Sequence, residues 1–185
     1  MEMYDYGLSR RFGMALGLRV GIMWIASFLL VVYTFPSLFV DLGIGLGFLA
    51  LPLAGMNLRR FVQHVDGCVG FRAFWTSWFT YMCAMLVTTA GQYLYFAFLD
   101  GGRFVNNLVE MYSSKEVVEL NEKLIGSSNM LEQMQQSLEQ MQGMSTKETM
   151  MMFLFINIMA AAIFSGFTML FTIGAKRIKN DDFTM

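Results

Sequence analysis

The chain has 185 residues, of which 56% are hydrophobic and only 15% charged, with a mean hydropathy of +0.49 and a formal net charge of -1. Water-soluble domains usually carry about 25% charged residues. That balance excludes a soluble globular domain, a disordered chain, a secreted disulfide scaffold and a nucleic-acid module. Charges divide the chain into four uncharged runs, 20–40, 42–58, 73–99 and 149–175, which hold 21, 17, 27 and 27 residues. A helix crossing the hydrocarbon core needs roughly 17–25 apolar residues, so each run is long enough. The expected fold class is an all-α integral membrane protein with four transmembrane helices. One membrane domain covers 1–185, with spans at about 14–35, 39–58, 73–99 and 149–175 and an extracytoplasmic helical insertion at 101–148, expected to fold as a helical hairpin between helices three and four.

The first span is entered through Gly13, Gly17 and Gly21, and the second carries Gly43 and Gly47. Glycines four apart fall on one helix face and let two backbones approach closely. Such faces serve packing within one chain or contact with a second copy, a homo-oligomer. VVYTFPSLFV offers no small-x-small cleavage site, so the first run reads as an uncleaved helix rather than a signal peptide. The second span leaves the membrane through Arg59 and Arg60, and Arg72 closes the following loop. These three cations are expected to meet anionic headgroups. His64, Asp66 and Cys68 in that loop are too few and too loosely spaced for a zinc site.

The third span, AFWTSWFTYMCAMLVTTAGQYLYFAFL, has tryptophans and tyrosines near both ends and a line of hydroxyls inside. Gln92 is its only amide and Asn157 is the matching amide of the fourth span. Together with Thr88 they form a candidate polar path, or a set of interhelical hydrogen bonds. No lysine, glutamate, aspartate or histidine lies near the middle of any span. Ion-coupled carriers usually need such a group, which argues against active transport.

Beyond the third span, Gly101 and Gly102 break the helix, and Val105, Leu108, Val109 and Tyr112 then recur with helical spacing. Later in the insertion, Leu131, Met134, Leu138 and Met141 form an apolar stripe suited to a partner helix or acyl chain. A methionine-based copper site is not expected, because the only histidine lies in the opposite loop. Ser145 with Glu148 fits a capping box that opens the fourth helix, where Ala162 and Gly166 offer a small packing face.

Segments 1–19, 59–72 and 176–185 hold nine of the 13 basic residues and five acids, while the remainder holds four bases and nine acids. Lysine and arginine are retained on the cytoplasmic side, so both termini and the 59–72 loop are expected inside and 101–148 outside, in the periplasm. No nucleophile elbow, HExxH, phosphate loop or dinucleotide fingerprint occurs. Neither an enzyme nor a bound cofactor is expected.

NLRRFVQHVDGCVGFRAFW after a glycine-rich second span, YFAFLDGGRF at the exit of the third, and a Gln/Glu/Met-rich stretch leading through GMSTKE into the last span carry a family resemblance. The pattern resembles an uncharacterised family of four-helix inner-membrane proteins typical of the Bacteroidota, known as a domain of unknown function. It departs in lacking a proline near the start of the last span. The resemblance implies architecture and compartment rather than activity. Neighbourhood with a membrane-associated glycosyltransferase, a feature of that family, implies a helper in envelope glycan or lipid-linked sugar assembly. The leading expectation is therefore an accessory or scaffold subunit for a membrane partner, and the alternative is a lipid or amphiphile carrier, flippase-like, subunit.

Overall fold

A computed structural model describes residues 6–34, 40–65, 70–112, 133, 136–137, 140, 143–173 and 175. The described residues form five helices: α1 (Tyr6–Thr34), α2 (Val40–His64), α3 (Phe71–Phe98), α4 (Arg103–Tyr112) and α5 (Thr146–Leu170). Three of them, α1, α2 and α5, are long and apolar enough to cross a membrane. Helix α3 has 28 residues, but its threonines, serines and tyrosines dilute its hydropathy below that of the other three.

The four long helices pack as a ring in which α1 touches α2 and α3, and α5 touches α3 and α2. Burial on α1 explains its seat: Phe12, Gly13, Leu16, Gly17, Val20, Gly21 and Trp24 recur every three or four residues and are all buried. That spacing is one helical face. On α2 the buried set is Gly43, Ala50, Ala54, Gly55, Leu58, Phe61 and Val62, so its second half sits deeper in the bundle than its first. Pro52 lies inside α2 without ending it; apolar helices tolerate proline where neighbours support the freed backbone.

Helix α3 is inverted relative to a soluble amphipathic helix. Thr76, Ser77, Thr80, Thr88 and Gln92 are buried, whereas Phe71, Trp75, Leu86, Leu94 and Phe98 are exposed. The other helices also turn large apolar groups outwards, among them Ile22, Phe48, Phe155 and Phe167. A continuous apolar exterior of this kind is a liability in water. Around a polar interior, it is the surface of a membrane protein.

The ring stacks Phe12 on Phe61 with centroids 4.2 Å apart, bringing the start of α1 beside the end of α2. Exposed Arg10, Arg11, Arg59 and Arg60 therefore gather at one end of the bundle. Arg72, half-buried at the start of α3, joins them. Asp41, Asp100 and Glu148 occupy the opposite end, at the start of α2, the exit of α3 and the start of α5.

Helix boundaries follow their local chemistry. Gly101 and Gly102 adopt φ of 53° and 82°, the left-handed region open to glycine, and turn the chain out of α3. The Asp100 carboxylate then accepts from the Gly102 N–H at 3.1 Å and the Phe104 N–H at 3.0 Å, capping α4. At the start of α5, Ser145 N–H donates to Glu148 Oε2 at 2.7 Å while Glu148 N–H donates to Ser145 Oγ at 3.4 Å. The expected capping box is formed. Helix α5 ends at Leu170, with turns at 171–173, short of the expected 175. Phe171, still in a right-handed helical conformation, is its C-cap.

Candidate functional site

Two seams of α3 position the interior. Its first seam meets α1, where the expected glycine strip sits. A Cβ at Gly17 would lie 2.5 Å from the Thr80 carbonyl and 2.7 Å from Cys83 Cβ; one at Gly21 would lie 2.9 Å from the Ala84 carbonyl. At Gly13 the obstacle is the Phe79 ring at 2.8 Å. Glycine is required here by close backbone approach. Gly43 and Gly47 instead face α1: a Cβ at Gly43 would meet Val31, and one at Gly47 the Ser27 hydroxyl at 2.9 Å. Ser27 Oγ donates to the Gly43 carbonyl at 2.6 Å, and Trp24 Nε1–H to the Gly47 carbonyl at 3.3 Å.

The second seam joins α3 to α5 through side-chain polarity. Ser77 Oγ donates to the Ser165 carbonyl at 3.1 Å, and the Tyr81 hydroxyl and Thr168 Oγ1 are 2.6 Å apart. Higher up, Asn157 Nδ2 donates to Thr89 Oγ1 at 2.9 Å and to Gln92 Oε1 at 2.8 Å. The small face expected of α5 is rotated by one residue. Ala161 and Ser165 are buried, while Ala162 and Gly166 are exposed, and a Cβ at Gly166 would meet nothing within 4 Å. Hydrogen bonds between α3 and α5 fix that rotation, since Asn157, Ala161, Ser165 and Thr168 must share the inner face.

Where the seams diverge, a cleft of about 200 Å³ opens, lined by Trp24, Ser27 and Phe28 of α1, Thr88 and Gln92 of α3, and Asn157, Ala160 and Phe164 of α5. All three members of the expected polar path, Gln92, Asn157 and Thr88, are on its wall. Thr88 Oγ1 donates back to the Ala84 carbonyl at 2.8 Å, so its hydroxyl hydrogen is engaged within α3. Aromatic clusters bound the cleft on both sides. Trp24, Tyr81 and Phe164 meet below it, with centroids 5.4–6.1 Å apart, and Phe28, Phe96 and Phe153 above it.

The family model described as Protein of unknown function (DUF4199) matches residues 15–172. The chain belongs to this family. The DUF4199 match runs from within α1 to just past α5, so the cleft and, apart from Gly13, both seams lie inside it. Among curated proteins and among solved structures, nothing matches the chain.

Sequence reasoning did not anticipate Trp24, Ser27 or Ala160 as cleft residues. Trp24 carried a usable signal, because it stands at mid-span, far from an interfacial aromatic belt, where an indole N–H needs a buried partner. Arg59 and Arg60 are exposed at the basic end, as contact with headgroups requires. The apolar stripe of Leu131, Met134, Leu138 and Met141 lies outside the described residues, as do Asp66 and Cys68. Among the described residues no group of three or more His, Cys, Asp or Glu could hold a metal ion.

Proposed function

We propose that this DUF4199 chain is a four-span protein of the bacterial inner membrane that receives the polar end of a membrane amphiphile in its interhelix cleft. The observation that carries the reading is the pair of buried amides, Gln92 and Asn157, on the wall of a cleft whose other lining is aromatic and apolar apart from the hydroxyls of Ser27 and Thr88. A polar recess inside an apolar bundle is costly unless something uses it. Its volume, at about 30 Å³ per water, equals that of roughly seven waters. That is too little for a whole lipid and enough for a headgroup.

Helix α3 serves as the fourth span in this reading, supported by its polar-inside, apolar-outside arrangement. The basic end of the bundle faces the cytoplasm and the acidic end the periplasm, following the retention of arginine inside. The accessory-subunit reading, with a glycosyltransferase or other membrane partner, keeps the outer segment as its interface. Its other arm, the glycine faces of α1 and α2, is occupied within the bundle.

Native mass spectrometry of the full-length protein, extracted in mild detergent from its own membrane, tests the reading. Wild type should retain a bound lipid, and Ala160→Phe, which fills the cleft without touching a hydrogen bond, should lose it. Equal retention by both proteins would remove the cleft from consideration. Orientation is tested separately in a Cys68→Ser background: Gln136→Cys should react with an impermeant thiol reagent in intact cells, and His64→Cys only after the membrane is opened. The reverse pattern would overturn the topology.

A further inference from the structure

The two cleft amides do not exhaust each other. Asn157 Nδ2 spends both its hydrogens on Thr89 and Gln92, which leaves Asn157 Oδ1 and Gln92 Nε2 without a hydrogen-bond partner among the described residues. Gln92 is 5% exposed and Asn157 8%, so both are more than nine-tenths buried. No fully enclosed side-chain nitrogen or oxygen among the described residues lacks a partner. The two leftover groups therefore border on open space, and the open space beside them is the cleft. Turning both amides over exchanges their roles but leaves the same remainder, one NH2 and one carbonyl.

The remaining polar chemistry of the wall is neutral. Its lining residues are Trp, Ser, Phe, Thr, Gln, Asn and Ala, without an acid or a base. A phosphate or ammonium placed there would have no counter-charge in a low-dielectric interior, which is prohibitive beside the cost of a neutral hydroxyl. A hydroxyl, by contrast, donates to Asn157 Oδ1 and accepts from Gln92 Nε2 at once. An amide does the same with its two ends.

We infer that the cleft selects an uncharged amphiphile, one whose headgroup offers a hydrogen-bond donor and acceptor on neighbouring atoms as a hydroxyl or amide does. This rests on the lipid-binding reading of the same cleft and adds the headgroup class. Charged phospholipids surround the protein but do not enter. Gln92 and Asn157 are the specificity residues; Thr89, which accepts from Asn157 and does not line the cleft, is structural.

The test uses the full-length protein with Trp75→Phe and Trp78→Phe, so that Trp24 on the cleft wall is the sole indole. Trp24 emission is titrated with dioleoylglycerol and with dioleoylphosphatidylglycerol, each brominated on the acyl chains, in phosphatidylcholine nanodiscs. Two added neutral hydrogen bonds correspond to a preference of about tenfold for dioleoylglycerol. Gln92→Met should abolish that preference and Thr89→Val should keep it, with circular dichroism melts confirming that both variants are folded. If Gln92→Met does not fold, loss of the preference in Ala160→Ser, which adds a competing hydroxyl to the wall, takes its place. Equal quenching by both lipids in the parent protein would overturn the headgroup selection while leaving a lipid site. Quenching by neither would overturn the lipid site as well.

Discussion

Helix α3 is held by two different kinds of adhesion on two of its faces. Towards α1 three glycines set the approach, with rings such as Trp24 on Tyr81 beside them, and the backbones come close enough that a methyl group at Gly17 has no room. Towards α5 the contact is made by hydroxyls and amides: Ser77, Tyr81, Thr89 and Gln92 reach Ser165, Thr168 and Asn157. In a membrane, lipid tails are as apolar as leucine, and helices gain little merely by hiding hydrophobic surface from one another. Close van der Waals contact and interhelical hydrogen bonds are the alternatives. At its glycines the first seam tolerates no added volume, whereas the second depends on which atoms are polar.

Substitutions should separate the two seams. Gly17→Ile forces a branched side chain against the Thr80 carbonyl and Cys83, and should destabilise the protein by about 3 kcal/mol. Thermal unfolding in detergent reads this, and an unchanged midpoint would break the close-approach account of the α1 seam. Asn157→Leu keeps the volume and removes both donations, leaving Gln92 Oε1 to the cleft; a loss of about 1–2 kcal/mol is expected. Tyr81→Phe removes one hydroxyl from the same seam and should cost about 0.6 kcal/mol. A loss as large as that of Gly17→Ile would mean that the second seam is as rigid as the first. Gly45→Ile sharpens the comparison from the other side. Nothing lies within 4 Å of a Cβ there, so the change should stay within about 0.5 kcal/mol although it is a glycine substitution of the same size.

Much of this architecture is legible in the residues, and the limits are instructive. The long helices follow from apolar runs of 17–27 residues, and the glycine break after α3 and the Ser145–Glu148 cap from signals that act within four residues. The presence of small-residue faces was legible too. Their partners were not: the strip at Gly13, Gly17 and Gly21 meets Phe79 to Val87, which no short-range pattern specifies. The rotation of α5 is a related case. Its residues are apolar almost all round, so no amphipathic stripe distinguishes the Ala161 and Ser165 face from that of Ala162 and Gly166. Only the polar residues Asn157, Ser165 and Thr168, read together at helical spacing, mark the inner side. Gln92 and Asn157 stood out because amides are rare in spans. The aromatic and small residues that shape a cleft around them look like any other membrane-embedded residues until the helices are assembled.

The α1–α2 hairpin carries a consequence for how the protein is made. Two of its bonds, Ser27 to Gly43 and Trp24 to Gly47, join residues 16 and 23 positions apart. The bonds from α3 to α5 that close the other side, at Ser77 and Tyr81, span 88 and 87 positions. A ribosome adding about 5–20 residues per second has therefore released the whole first hairpin several seconds before the last helix exists. Trp24 and Ser27 can already donate to α2 carbonyls at that stage, with no polar group of theirs left bare in the bilayer. The glycine face of α1 then stands ready as a template on which α3 docks, and α5 arrives last.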